Sequence, residues 1–229
     1  NIKMKNSITA RRKNNPFKKC IFFLLALSLL IPVYVSAEED ITSKTLIIYY
    51  SRTGITKLIS ETLNNQINAD LLELKDPKDR SGTWGYLKSA YEAFRHQHSP
   101  IEPEQPDISP YSHIIIASPI WSWNLCTPVH TLFEKNRFDG KKLVLITTAN
   151  IHIMKYEPYG DDASFIKRFL RDYLREKRDA AVNEVINAGG EFIGHYHFET
   201  KAKTDEELIA ETMKCADYVK GKLVKQSEL

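Results

Sequence analysis

Ser51-Arg52-Thr53-Gly54-Ile55-Thr56 packs three hydroxyls, a cation and a glycine into six residues, between an apolar run and an amphipathic one. At a helix start the first backbone N–H groups lack intrahelical acceptors and sit at the positive end of the helix dipole, which stabilises an anion. Glycine lets backbone approach a ligand, and hydroxyls donate to oxygens. The chemistry described is a cradle for phosphate; a plain helix cap on Thr53 is the competing reading. The stretch is neither G-x-G-x-x-G nor a Walker loop, whose glycines and lysine are missing.

A second cluster, Ser118-Pro119-Ile120-Trp121-Ser122-Trp123-Asn124-Leu125-Cys126-Thr127-Pro128, holds two tryptophans in a predicted loop. Exposed indoles are costly, so they suit an aromatic wall against a flat ring, with backbone amides near the ring's edge. Packing of both beneath the following helix is the alternative.

Both clusters need a frame. Short apolar or β-branched runs at 46–50, 70–74, 113–117, 142–147 and 191–197 predict strands. Between them, Ile55, Leu58, Ile59, Leu63 and Ile67 recur at helical spacing, as do Leu87, Ala90, Tyr91 and Phe94 over 84–95; each set predicts one buried stripe. Further helices are expected at 128–134, 162–188 and 204–222, the first opened by a proline and the last by an acidic turn. Strands alternating with helices predict a doubly wound parallel sheet with helices on both faces. Its ligand belongs in the crevice at the carboxyl ends of the strands, where both clusters fall.

The stretches YYSRTGITK and ASPIWSWNLCTPV, in this order after odd-numbered strands, resemble the flavodoxin family, and KDPKDRSGTWGYLKSAYEAFR is similar to a variant among its bacterial members. The resemblance implies a flavodoxin-like five-stranded sheet of order 2-1-3-4-5 and flavin mononucleotide (FMN) as cofactor. It implies that Ser51, Arg52, Thr53, Gly54, Ile55 and Thr56 hold the flavin phosphate. Pro119, Ile120, Trp121, Ser122, Trp123 and Asn124 then pack along the ring, and Thr148, Ala149 and Asn150, after Thr147, close its other side. Family members often carry asparagine where Ile55 stands and a glycine-rich turn near Ala149-Asn150. Trp84 and Tyr86 are further candidates to cover the ring. By the same analogy Cys126 lies near the flavin and Cys215 on the opposite face of the sheet, too far apart for a disulfide.

Residues 1–37 carry seven basic side chains and no acid, with an apolar run from Ile21 to Val35 and Val35-Ser36-Ala37 before Glu38-Glu39-Asp40. This is the pattern of an export signal cleaved after Ala37, leaving residues 38–229 as one domain in the periplasm or outside a bacterial cell. The apolar run is short for a membrane span and interrupted by Pro32, so no stable span is expected after cleavage. From Glu38 onward 25 basic residues face 29 acidic ones, a net −4, which argues against nucleic acid as partner. His195 and His197, two apart on a strand, share a face, but no third metal ligand is evident.

Three functional readings stay open. One is an FMN-dependent oxidoreductase passing electrons to a small acceptor such as a quinone or flavin. Another is a non-enzymatic electron carrier, and the third a binding module that has lost its flavin. The sequence names neither electron donor nor acceptor.

Overall fold

Strand β1 (Thr45–Tyr49) is buried at every residue, as a continuous apolar run requires when both faces are covered. The computed structural model describes residues 45–150 and 165–224; the export-signal region lies outside them. The remaining strands are β2 (Asp70–Glu73), β3 (His113–Trp121), β4 (Asn124–Leu125), β5 (Lys142–Ala149) and β6 (Glu191–Glu199). Five of them form a parallel sheet in the order β2-β1-β3-β5-β6, and β4 folds back antiparallel on β3. Without β4, this is the expected order 2-1-3-4-5.

The period-two alternation of the strands divides the core. Leu46, Ile48, Ile114, Ile116, Leu143 and Leu145 point to one face, while Ile47, Tyr49, Ile115, Ala117, Val144 and Ile146 point to the other. The first face is covered by α2 (Gly82–Phe94), α3 (Thr127–Lys135) and α4 (Phe165–Asn187), and the second by α1 (Ile55–Ile67) and α5 (Asp205–Val224). Pairing is in register through the centre, with Ile48 beside Ile116 and Ile116 beside Leu145. Cys126 and Cys215 are free thiols in these two separate cores, the former in the first and the latter in the second.

Two expectations need correction. The third strand runs four residues further than its apolar core, because Trp121 and Asn124 pair across a two-residue turn. Ser122 and Trp123 both have positive φ, 46° and 70°, as a type I′ turn demands. Helix α2 is also rotated from the expected orientation. It buries Gly85, Ser89, Glu92 and Ala93, leaving Leu87, Tyr91 and Phe94 exposed. The reason is a polar cluster beneath it. Arg80 is buried, its Nε donates to Asp76 at 2.5 Å, and its other nitrogens donate to Ser89 (2.9 Å), Ser99 and Thr127 (both 3.0 Å). Glu92 Oε2 lies 2.9 Å from the same guanidinium. Buried charge must be paired, and that demand outweighs the apolar spacing. Gly85 makes the packing possible, since a Cβ there would come within 2.3 Å of the Arg80 backbone.

Candidate functional site

At the carboxyl ends of β1, β3 and β5, three loops enclose a cavity of about 450 Å³, within the usual range for small-molecule sites. The β1–α1 loop supplies Arg52, Thr53, Ile55 and Thr56 to its wall. Gly54 occupies the N-cap of α1 at φ 91°, and no side chain caps that helix. The first intrahelical bond comes only at Leu58, to the Gly54 carbonyl. The leading N–H groups of α1 therefore keep their capacity for an anion. Ser51 stays out of the cavity wall; its Oγ accepts from the Gly54 amide at 3.1 Å and so shapes the loop.

The turn after β3 contributes Pro119, Ile120, Trp121, Ser122 and Trp123. The two indoles divide the work. Trp121 is only 8% exposed and belongs to the core, edge-on to Tyr50 at 5.6 Å, with the Arg80 guanidinium 5.1 Å from its ring centre. Trp123 is half-buried and makes an apolar patch with Ile120 and Ala149, braced edge-on by Tyr173 at 5.9 Å. Asn124 does not line the cavity. Its amide donates to the Ala93 and Ser122 carbonyls (3.2 and 3.0 Å) and its oxygen accepts from Lys177 at 3.3 Å, which pins the turn.

From the end of β5 come Thr148, Ala149 and Asn150. Thr148 Oγ1 meets Thr56 Oγ1 at 2.9 Å, tying this loop to the helix start. Its neighbour Thr147 points the other way, with Oγ1 2.8 Å from His195 Nε2 and 2.9 Å from His197 Nδ1. Among the described residues no three ligating side chains form a metal site.

Tyr86 lines the cavity as expected, with the Arg52 guanidinium 5.4 Å from its ring centre. Trp84 does not; it is 80% exposed. Thr200 is a lining residue the sequence reading missed, held by Thr200 Oγ1 donating to Asn150 (2.9 Å) and its amide donating to the Ala149 carbonyl (2.8 Å). Its position just beyond the last strand, at the same edge of the sheet, was the available signal. Cys126 is buried, and burial pushes its thiol up to about 12, so it is no nucleophile at neutral pH.

Among the described residues lining the cavity, Arg52 is the one with a formal charge. The described residues thus offer a cationic, hydroxyl-rich helix start at one wall and an indole and aliphatic surface at another. Such a set can hold an anionic nucleotide with a flat ring.

The flavodoxin family model matches residues 44–157. Among solved structures, a protein described as a flavoprotein from Bacteroides eggerthii is similar at 19% identity and TM-score 0.50, over 76% of this chain and 98% of that one. One from Bacteroides uniformis is similar at 17% identity and TM-score 0.50, over 75% and 98%. A flavoprotein in complex with FMN from Lactobacillus acidophilus is 20% identical at TM-score 0.43, over 75% and 99%. Comparison with curated proteins finds no match. The two Bacteroides likenesses show a shared fold. The match of residues 44–157 to the family model, with which the sheet order agrees, places the chain in the flavodoxin family.

Proposed function

We propose that the cavity holds FMN and that the protein is an oxidoreductase delivering electrons from it to a small acceptor, a quinone or a flavin. The observation that carries this reading is the convergence of three strand tips on one cavity, with an uncapped helix start and a Trp123–Ile120–Ala149 patch among its walls. Residues Thr53, Thr56 and the leading amides of α1 would hold the phosphate, and Arg52 would balance its charge. Trp123, Ile120 and Ala149 would lie against the ring, with Asn150 and Thr200 closing the far side. When bound, the flavin supplies the electron transfer itself.

The protein's contribution is to bind, orient and exclude water. Among the described residues the wall offers no carboxylate and no histidine. A carrier that docks protein partners uses complementary surface charge around its exposed cofactor edge. Among the described residues this cavity has no acidic lining, which favours a small acceptor.

The test is anaerobic. Protein loaded with FMN and reduced by dithionite is mixed with a water-soluble quinone, and the flavin absorbance is followed. The reading predicts rapid reoxidation, two electrons and two protons converting each quinone to hydroquinone. A flavin that stays reduced would contradict it.

A further inference from the structure

Helix α2 turns an aromatic stripe to solvent. Trp84, Leu87, Tyr91 and Phe94, spaced three, four and three, are 80%, 52%, 60% and 61% exposed. Each large aromatic offers about 150–250 Å², so this one stripe reaches the few hundred Å² beyond which exposed apolar surface marks an interaction site. Lys88 and Arg95, also exposed and seven apart, border the stripe on the same side of the helix. The only acid of α2, Glu92, is buried, with Arg80 and Lys78 beside it at 2.9 and 3.3 Å. The outward face is therefore aromatic and cationic without a carboxylate.

We propose that this face docks on the surface of an anionic lipid bilayer. Trp84, Leu87, Tyr91 and Phe94 would enter the boundary between headgroups and acyl chains, the region where amphipathic aromatic side chains settle. Lys88 and Arg95 would pair with lipid phosphates. A second copy fits less well. With Trp84 and Tyr91 at one seam position and Leu87 and Phe94 at the other, Lys88 and Arg95 flank the same edge. An antiparallel two-fold pairing would set these cations against their own images, with no acid on the face to relieve them. Tyr86, on the flank of the same helix, lines the cavity, so docking would bring the cavity close to acceptors dissolved in the bilayer. That consequence rests on the proposed function; the docking does not.

The test uses the full chain with vesicles of mixed phosphatidylcholine and phosphatidylglycerol carrying brominated acyl chains, which quench indoles at the interface. The readout is the quenching lost on Trp84→Phe, so attachment through any other segment does not register. The proposal predicts Trp84-dependent quenching that weakens about tenfold or more in a Lys88→Glu/Arg95→Glu variant and falls with added salt. All five substituted positions are exposed, and circular dichroism checks that the variants fold. Absence of the Trp84-dependent signal would overturn the proposal. So would equal quenching on pure phosphatidylcholine. So too would a dimer, seen by light scattering, that Tyr91→Ser/Phe94→Ser dissociates while the vesicles leave Trp84 unquenched.

Discussion

Thr56 Oγ1 and Thr148 Oγ1 lie 2.9 Å apart and buried, although 92 residues separate them in the chain. The bond joins the first turn of α1 to the tip of β5, so two walls of the cavity hold their spacing through one hydroxyl pair. Either Thr56→Val or Thr148→Val leaves the other hydroxyl buried without this partner, at a cost of about 1–3 kcal/mol. The double variant should be less damaging than the sum of the two, because it removes both orphaned groups. Urea denaturation of the four proteins checks this, and strict additivity would show that the bond does not couple the loops.

Gly54 has φ 91°, with open space where a Cβ would stand. Gly54→Ala therefore meets no clash and reports backbone strain alone, about 1–2 kcal/mol. The unfolding free energy of the cofactor-free protein, from urea denaturation, should fall by that amount, and FMN affinity should fall further as the loop distorts. An alanine variant as stable as the parent would mean that the loop adopts another conformation.

Arg80 is the hub of the cluster beneath α2, bonded to Asp76, Ser89, Ser99 and Thr127 and set against Trp121. Arg80→Ala strands the buried Asp76 and Glu92 carboxylates, a change that costs about 3–5 kcal/mol. Lysine should rescue little, because a single ammonium cannot reproduce the fork of the guanidinium. Thermal and urea unfolding of both variants measure the loss; a lysine variant of parental stability would refute the role given to the fork.

His195 is half-buried beside His197 and Arg178, and desolvation foremost pushes its pKa down to about 3. In the unfolded chain its value is about 6.5. As pH falls through about 6.5 the unfolded chain takes up a proton that the native protein refuses, so stability declines from there toward pH 3. The stability advantage of the parent over His195→Gln should therefore shrink between pH 7 and pH 5. An advantage that grows on acidification would mean that the folded protein holds His195 protonated.

The frame was legible because parallel strands buried on both faces must be apolar throughout, as 46–50 and 114–117 are. The β1–α1 loop was legible for a similar reason: glycine and hydroxyls before an amphipathic run have few other uses. Helix α2 was misread because its apolar spacing is real, but the stripe faces solvent and the buried side is set by Arg80, Asp76 and Glu92. A paired buried charge leaves no periodic trace. Asn124 and Ser51 were assigned to the cavity by position in their loops, whereas their hydrogen bonds spend them on the turns that shape it. Thr200 was missed since a single hydroxyl after a strand carries no pattern.

The phosphate assignment at the α1 start is tested most directly by titrating cofactor-free protein with FMN and with riboflavin, following flavin fluorescence. Riboflavin keeps the ring that would meet Trp123 but lacks the phosphate that would meet Thr53, Thr56 and Arg52. FMN should bind with its fluorescence quenched, and riboflavin about a hundredfold more weakly, as expected for losing two charge-assisted hydrogen bonds. Equal affinity for the two, or no uptake of FMN, would contradict the site described here.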